Sequence, residues 1–360
     1  MLAAALSAQA VARWFPLRVE AAFSEWLYPR FGGLLGRAAG ILRFSLAEGL
    51  VLGAVLLVSL AAVRSLGRIV RGRESVSSAL ATWGANTALL AGIGYGLFLL
   101  LWGFNYARQP LSSLAGLPVG AAPASELAEL AAELVDGSNH EREGLPEDAS
   151  GVLRIEGGFP SVARRVAAGY ASASVTLPLL VGTSALPKPV FLSGVLSRVG
   201  ITGIYFPFTG EPNVNTTLPD AMLPFSAAHE VAHQRGFARE DEANYVGYLA
   251  CRLHPDADFR YAGLLAASYY AMAALHLVDP SAALRVRAGR SEAVLRDEAA
   301  IRAWTLRYRG RASEVGQRVN DAYLKTQGQA EGVRSYGRMV DLLLAERRRT
   351  MIAPCAGASP

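Results

Sequence analysis

The chain has 360 residues, of which 52% are hydrophobic and 18% charged, and its mean hydropathy is +0.25. Soluble domains carry about 25% charged residues, so the composition excludes an ordinary cytosolic enzyme, a disordered chain and a disulfide scaffold. The net charge is +5, but the arginines flank apolar runs and no basic stripe is interleaved with aromatic residues. The sequence therefore predicts a membrane protein that contacts the lipid bilayer and binds no nucleic acid.

Two weakly charged stretches in the first third of the chain predict transmembrane helices. The first has 20 residues with Glu48 as its one charge, and the second has 33 residues with none. About 20 apolar residues cross the hydrocarbon core of a bilayer, so each stretch is long enough for one span. Trp83 and Trp102 lie near the two ends of the second stretch, where interfacial aromatic residues are typical. The predicted spans are near residues 46–63 and 87–104.

The segment between the predicted spans is short and basic. Its charged residues are Arg64, Arg68, Arg71, Arg73 and Glu74. Short loops rich in arginine face the cytoplasm, so the chain that follows the second span is expected outside the cytoplasm. The predicted location is the cytoplasmic (inner) membrane, with several passes and the main domain on the extracytoplasmic side. Arginines before the first span, such as Arg37 and Arg43, leave the opposite orientation open.

Two further apolar segments have more than one interpretation. Residues 1–11 are too short to cross a bilayer, so they are expected to form an interfacial helix or the remnant of a further span. Residues 261–278 contain no charge, but they are rich in alanine, tyrosine and serine. A buried helix is the preferred interpretation of this second segment, and a membrane-spanning or re-entrant helix is the alternative.

The remainder of the chain predicts a mainly α-helical domain with a small β-sheet, an α+β arrangement. Leucines recur at helical spacing after Ser125, which is expected to cap the first helix of this domain. β-Prone runs predict two strands, and prolines and glycines predict the loop that follows them. The chain is divided into a membrane region over residues 1–109 and a domain over residues 110–360. The elements predicted in that domain are helices 126–135 and 161–173, loops 136–158 and 208–219, and strands 190–192 and 204–206.

The segment from Phe225 to Cys251 carries the motif His-Glu-x-x-His. His229 and His233 are four residues apart, so on a helix both imidazoles lie on one face and can bind one metal ion. This spacing of nitrogen ligands is typical of zinc, and hydrolytic zinc sites combine three protein ligands with a water molecule. Glu230 lies about 100° around the helix from His229, where its carboxylate can act on that water as a general base.

A third ligand is expected from the helix that follows the turn at Gly236. Glu240 and Asn244 are spaced i and i+4, so one can bind the metal while the other supports a ligand by hydrogen bonding. Glu242 lies about 200° around the helix from Glu240, so the two carboxylates cannot both face the metal. Spacing alone leaves either carboxylate open as the third ligand.

The motif and the Glu-x-x-Ala-Asn sequence after it resemble the gluzincin class of zinc metallopeptidases, in which the third ligand is a glutamate on the following helix. The resemblance implies a zincin-like fold for residues 110–360 and one bound Zn²⁺ ion. It also implies ligand roles for His229, His233 and Glu240, the role of catalytic base for Glu230, and a supporting role for Asn244. One departure is the connection between His233 and Glu240, whose six residues are fewer than in many gluzincins.

Four segments extend the resemblance beyond the motif. They are WGFNYARQPL (Trp102–Leu111), ITGIYFPFTGEPNVN (Ile201–Asn215), LPFSAAHEVAHQRGFAREDEAN (Leu223–Asn244) and VNDAYLKTQGQAEGVRSYGRMVDLLL (Val319–Leu344). Together they resemble the bacterial membrane-protein family called domain of unknown function 3810. The resemblance covers nearly the whole chain, including the paired spans, and it implies a membrane-anchored zincin with an unknown substrate.

In zincins, a strand edge beside the metal binds extended peptide by main-chain pairing. By this resemblance, residues 204–206 are the expected substrate strand, and Tyr205 and Asn213 are candidate substrate-binding residues. His254, near the end of the second helix, is a candidate for stabilising an oxyanion. Packing or capping is the alternative interpretation of all three side chains.

The combined prediction is a membrane-anchored zinc metallopeptidase that hydrolyses peptide bonds with zinc-bound water and Glu230 as the general base. Its expected partners are the bilayer and a peptide or protein substrate, including membrane-associated ones. Two alternatives stay open. One is a non-catalytic zinc-binding scaffold or sensor, and the other is a zinc hydrolase that acts on a cell-envelope amide.

Overall fold

The computed structural model describes residues 1–182, 185–329 and 338–352, and in these ranges the chain is mainly helical. The helices are α1 (Leu2–Ala12), α2 (Pro16–Val19), α3 (Tyr28–Gly40), α4 (Leu46–Val70), α5 (Val76–Leu101), α6 (Leu111–Leu114), α7 (Ala124–Arg142), α8 (Gly158–Thr176), α9 (Ser193–Arg198), α10 (Leu223–Gln234), α11 (Glu240–Arg252), α12 (Ala257–Val278), α13 (Pro280–Ala288), α14 (Glu292–Tyr308), α15 (Arg311–Thr326) and α16 (Met339–Ile352). A π-helical segment, Glu20–Leu27, joins α2 to α3, and 3-10 turns lie at Gly103–Ala107, Pro178–Leu180 and Asp220–Met222. The prediction of a mainly α-helical chain with a small sheet is confirmed.

The sheet has three short strands in the order β1-β3-β2. They are β1 (Lys188–Pro189), β2 (Gly203–Phe206) and β3 (Glu211–Val214). β3 pairs in parallel with β1 and antiparallel with β2. The strand predicted at 204–206 is confirmed as part of β2. The strand predicted at 190–192 is wrong, because β1 ends just before it, and the loop predicted at 208–219 is wrong, because it contains β3.

Pro212 explains why a loop was expected in place of β3. Proline cannot donate a backbone hydrogen bond, so central strands normally exclude it. Here β1 begins opposite Asn213, one residue past the proline, and Pro212 pairs only with Tyr205 of β2. The missing N–H therefore costs no hydrogen bond with β1.

The two helices predicted early in the domain are confirmed, and both are longer than expected. α7 continues to Arg142, so the first part of the loop predicted at 136–158 is helical. The polar end of α7 is held by Arg142, whose buried guanidinium lies 2.6 Å from the carboxylate of Asp297 in α14. Ser125 does not cap the helix, because the residue before α7 is Pro123. A distant ion pair therefore extends a helix whose local sequence suggested a loop.

The main apolar core lies among α7, α8, α10, α11 and α12. In the described ranges, three helices are long and apolar enough to cross a membrane, namely α4, α5 and α12, so the predicted count of two is too low by this measure. However, 44% of the apolar window of α12 is buried inside the protein, against 6% for α4 and 11% for α5. Tyr261, Ala267 and Leu275 face the core. These contacts favour the interpretation of α12 as a buried helix.

α4 and α5 are largely bare apolar helices joined by a short turn, and they indicate a membrane protein. Leu57, for example, is 68% exposed, as expected of a side chain that faces lipid. The span predicted at 46–63 lies inside α4. The span predicted at 87–104 is displaced, because α5 begins at Val76 and ends at Leu101.

The first helix packs against α5. A Cβ atom at Gly92 would lie 2.9 Å from the backbone nitrogen of Leu2, so α1 meets α5 where this glycine leaves room. Gln9 of α1 is buried, accepts a hydrogen bond from the Tyr95 hydroxyl and donates one to Gln327. α1 therefore lies along a candidate span and links it to the segment that follows α15.

Glu211 of β3 fixes the start of α4 to the sheet. Its buried carboxylate accepts hydrogen bonds from the backbone N–H groups of Leu46 and Ala47, at 3.2 and 2.8 Å. These N–H groups have no partner within the helix, and a negative charge also interacts favourably with a helix N-terminus. The Nζ atom of Lys188 lies 4.0 Å from the same carboxylate. One buried charge therefore joins the sheet to the first candidate span.

Replacement of Glu211 by glutamine should lower thermal stability. The substitution removes the charge that caps α4 and faces Lys188, so we expect the free energy of unfolding to fall by about 2–4 kcal/mol. Thermal unfolding of the detergent-purified protein measures this effect. Glu314→Gln is the matched control, because the Glu314 side chain is 61% exposed, and it should change the free energy by less than about 0.5 kcal/mol. Equal melting temperatures for the two variants would contradict this expectation.

Candidate metal centre

Helix α10 carries the His-Glu-x-x-His motif, and both of its ends follow from the sequence. Pro224 lies in the first turn, where its missing N–H leaves no helical hydrogen bond unmade. Gly236 follows the helix with a φ of +86°, a left-handed conformation that favours glycine. α11 then begins at Glu240, as predicted. This short connection returns Glu240 to the two histidines.

Three potential ligand residues converge between α10 and α11. Glu240 Oε2 lies 3.3 Å from His229 Nε2 and 3.6 Å from His233 Nε2. Each residue offers one ligand atom, and these atoms lie within 4.8 Å of one another. In a tetrahedral zinc site with bonds of about 2.0–2.1 Å, the ligand atoms are about 3.4 Å apart. The three residues could therefore hold a metal ion, and their ligand types are those of zinc.

Glu242 makes contacts outside this group of ligands. One of its carboxylate oxygens accepts a hydrogen bond from the backbone N–H of Leu111 at 2.8 Å and another from the Arg239 guanidinium at 2.7 Å. These contacts tie the start of α11 to α6. The sequence spacing allowed either Glu240 or Glu242 as the third ligand. In the structure, Glu240 is the one that lies beside the histidines.

The electrostatics of the centre favour a positive charge. Glu230 Oε2 is buried and has no hydrogen-bond partner among the described residues, and the buried Glu240 Oε2 faces the two imidazoles. Burial alone would raise the pKa of Glu240, but the neighbouring imidazoles hold it well below its ordinary value. Burial lowers the pKa of His233, yet Glu240 more than offsets this effect and raises that pKa to about 9. A bound cation would supply the charge that these groups attract.

The two imidazoles are held in place by their surroundings. His233 Nδ1 lies 2.8 Å from the carbonyl oxygen of Phe237, so this nitrogen donates and Nε2 presents its lone pair to the centre. The His233 ring also packs edge-on against Trp102, with 5.9 Å between the ring centroids. The two helices approach closely at His229, because a Cβ atom at Gly247 of α11 would lie 3.1 Å from the His229 nitrogen.

The carboxylate of Glu230 lies against β2. A Cβ atom at Gly203 would lie 2.5 Å from its Oε1, and the backbone N–H of Tyr205 is near enough to lower its pKa. Burial raises the pKa of Glu230, and the two histidines counter part of this effect. Backbone groups alternate in direction along a strand, so Gly203 and Tyr205 present theirs to the edge of β2 that faces away from β3. This strand edge therefore runs beside the candidate base.

Three side chains of the membrane region hydrogen-bond backbone carbonyls at the end of α10. They are the Trp102 indole to His233 at 2.8 Å, the Tyr28 hydroxyl to Gln234, and the Arg108 guanidinium to Gly236 at 3.1 Å. The last carbonyls of a helix have no partner within it, so these side chains satisfy them. The membrane region therefore helps to build the candidate metal centre, although it is far away in the sequence.

A buried aromatic cluster surrounds these contacts. Its members are Phe23, Tyr28, Trp102, Tyr106 and Tyr205, with Ala238. Arg108 beside it forms a buried ion pair with Glu20, with 3.0 Å between Nε and Oε2. Sequence reasoning assigned no site role to Tyr28, Trp102 or Arg108. The segment 102–111, which resembles the family sequence, contains Trp102 and Arg108 and is the signal that could have found these two, whereas Tyr28 lies outside it.

The remaining predicted site residues on β2, β3 and α11 are buried. The side chain of Tyr205 packs in the aromatic cluster, so only its backbone contacts the candidate base. The Nδ2 of Asn213 donates to backbone carbonyls of β2 and β3, which gives this amide a role within the sheet. Asn244 lies one turn after Glu240, adjoins Tyr270 of α12, and its Nδ2 has no hydrogen-bond partner among the described residues, so its supporting role stays a prediction.

His254 is buried just beyond the end of α11. Its Nε2 lies 3.0 Å from the carbonyl oxygen of Arg165, and its Nδ1 accepts a hydrogen bond from the N–H of Asp256 at 2.9 Å. Its ring stacks on Phe259, with 3.9 Å between the centroids. Both ring nitrogens are therefore engaged by backbone groups, which favours the helix-end interpretation. The oxyanion role stays a prediction.

Comparison with known proteins identifies a family for this chain but no characterised relative. No curated protein and no solved structure matches the chain. One family profile, described as protein of unknown function (DUF3810), matches residues 23–344, a range that includes α4, α5 and the candidate metal centre. The description assigns no activity, so it confirms the family resemblance and leaves the chemistry to be proposed. The chain belongs to the DUF3810 family of proteins of unknown function.

Proposed function

We propose that the protein is a membrane-anchored, zinc-dependent peptidase. One observation carries this proposal. The buried carboxylate of Glu230, whose Oε2 makes no hydrogen bond in the part of the chain that the structure describes, adjoins three converging ligand residues. A purely structural zinc site has no need of a further carboxylate at this position. Hydrolysis does require one, because a general base must accept a proton from water.

The residues have separate tasks in peptide hydrolysis. His229, His233 and Glu240 would hold the zinc ion, which when bound polarises a carbonyl group and acidifies a water molecule. Glu230 would accept a proton from water as the water oxygen adds to the scissile carbonyl carbon. It would then pass that proton to the leaving nitrogen as the C–N bond breaks. The edge of β2 would pair with an extended substrate backbone beside Glu230.

We infer that the metal centre lies outside the cytoplasm. The chain enters α4 and leaves α5 at the same end of the helix pair, and this end adjoins the centre. The opposite end is basic, with Arg64 and Arg68 in the last turns of α4 and Arg71 and Arg73 in the turn that follows. Such basic segments face the cytoplasm. The domain would therefore lie on the extracytoplasmic side of the cytoplasmic membrane.

Digestion of a mixed peptide library by the full-length protein in detergent tests the peptidase proposal. We expect cleavage that a chelator abolishes, that zinc restores, and that His233→Ala lacks. Zinc binding without chelator-sensitive cleavage would overturn the proposal and favour a non-catalytic zinc scaffold. Hydrolysis of a cell-envelope amide in place of any peptide would favour the other alternative.

Gly203→Ala should disable the centre without removing its ligands. The added methyl carbon would lie 2.5 Å from Glu230 Oε1, so either the strand or the carboxylate must move. A displacement of about 1 Å can cost about 100-fold in rate, so we expect that loss in peptide hydrolysis with zinc content unchanged. Gly194→Ala is the control, because a Cβ atom there meets nothing within 4 Å. A fully active Gly203→Ala protein would show that this placement of β2 is not required.

A further inference from the structure

The metal centre lies within one hydrogen bond of the end of a candidate span. Leu100 of α5 is 60% exposed, as expected of a side chain that faces lipid, whereas Trp102 is 4% exposed. Trp102 directly follows α5, and its indole N–H bonds the carbonyl oxygen of the candidate ligand His233 at 2.8 Å. Within two residues, the chain passes from a lipid-facing helix to the wall of the metal site.

The other span reaches the centre at the same end. α4 begins at Leu46, whose N–H is bonded by Glu211 of β3, and Glu211 pairs with Phe206 of β2. β2 in turn packs against the carboxylate of Glu230, since a Cβ atom at Gly203 would lie 2.5 Å from its Oε1. The depth of the centre relative to the bilayer is therefore set at two independent points, one for each span.

An exposed apolar loop lies at the same level. Glu48, in the first turn of α4, accepts hydrogen bonds from the backbone N–H groups of Phe191 and Leu192, at 2.9 and 2.7 Å. The Phe191 side chain is 89% exposed, and Val195 nearby is also exposed. Exposed Phe and Leu side chains beside the end of a span are typical of segments that insert into the membrane interface. This loop therefore marks the bilayer surface on the domain.

The distances place the metal ligands close to the outer edge of the lipid headgroup layer. A helix rises about 1.5 Å per residue, so Leu100 and Trp102 differ in depth by about 3 Å. The rings of Trp102 and His233 are 5.9 Å apart. The centre is thus within about 10 Å of the hydrocarbon core, and the headgroup layer is about 5–8 Å thick on each side of that core.

We propose that the substrate is a membrane-anchored polypeptide that is cut about three residues outside its transmembrane helix. An extended chain advances about 3.3 Å per residue, so a bond about 10 Å from the hydrocarbon core is about three residues beyond a span. The edge of β2 favours an extended polypeptide backbone. A span also confines the substrate to the membrane that holds the enzyme and so raises its effective concentration. This inference rests on the proposed peptidase function and adds its substrate class.

Full-length protein in vesicles of phosphatidylethanolamine and phosphatidylglycerol tests the proposal with two synthetic peptides. One has an apolar span of about 20 residues followed by a mixed-sequence segment, and the other is that segment alone. We expect the spanning peptide to be cut about three residues from its span, at least about tenfold faster than the free segment. Insertion of about four residues after the span adds about 13 Å of extended chain. Cleavage should then move to a different peptide bond, still about three residues from the end of the span. Glu230→Gln in the same vesicles measures the background.

Three outcomes would count against the proposal. Equal cleavage rates for the two peptides would overturn the substrate class while the peptidase function stands. Cleavage of the same peptide bond before and after the four-residue insertion would do so too, because the cleavage site would then depend on sequence and not on distance from the span. Faster cleavage of a lipid-linked cell-wall peptide than of the spanning peptide would also overturn the substrate class. Cleavage of no peptide by zinc-loaded protein would overturn the peptidase function, and this inference with it.

Discussion

Glu230→Gln is expected to lower kcat by about 10²–10⁴-fold while the zinc content stays unchanged. Glutamine has the shape of glutamate and fits the same space against Gly203 of β2, so the local packing is retained. It cannot take a proton from water or pass one to the leaving nitrogen. The measurement is steady-state hydrolysis of a reporter peptide together with metal analysis of the same preparation.

Glu143→Gln is the matched control for this substitution, because Glu143 is exposed just after α7 and should leave both quantities unchanged. Full activity of Glu230→Gln would mean that another group is the base. Loss of zinc together with activity would mean that Glu230 helps to hold the ion, and the proposed separation of ligands from base would be wrong.

Glu240→Gln is expected to weaken zinc binding by roughly 100-fold, whereas Glu242→Gln should retain it. Structural zinc sites with four ligands gain about 10–16 kcal/mol, so one ligand contributes about 3 kcal/mol, or roughly 100-fold in Kd. Glu240 Oε2 lies 3.3 Å from His229 Nε2, while the Glu242 carboxylate bonds the backbone of Leu111. Competition with a chromophoric chelator measures both dissociation constants.

The two glutamine variants are matched, because each removes one negative charge from the first turn of α11. Tight zinc binding by Glu240→Gln with weak binding by Glu242→Gln would reverse the ligand assignment. Small and equal effects would place the third ligand outside both residues.

The arrangement of the candidate metal site could be predicted where it depends on helix periodicity. His229 and His233 share a face because residues four apart on a helix do so, and Gly236 ends the turn because glycine readily adopts a positive φ. The angular separation of Glu240 and Glu242 shows that only one of them can face the metal. These relations are local, so they need no knowledge of distant contacts.

The sheet was harder to predict, because strand pairing joins distant residues. Pro212 favours a loop in any local interpretation, yet it is tolerated in β3 because β1 begins one residue past it. The end of α7 shows the same effect, since the ion pair between Arg142 and Asp297 extends a helix whose sequence is polar there.

The contacts between the membrane region and the metal centre were not predicted. Trp102 was interpreted as an interfacial aromatic residue, but its indole bonds the carbonyl of His233, which is 131 residues later in the chain. No local sequence pattern around Glu211 indicates that its carboxylate caps α4, because the capped residue Ala47 is 164 residues away in the chain. Such contacts depend on how separate segments pack, and sequence periodicity carries no information about that.

Zinc content of the purified full-length protein tests the central claim most directly. We predict about one zinc ion per chain in a nondenaturing mass spectrum of the wild type, because three protein ligands and a water complete one tetrahedral site. A variant with both His229→Ala and His233→Ala should keep its helical content and hold no zinc. A double variant that retains the full zinc content, or a zinc-free wild type that still cleaves peptides, would contradict the claim.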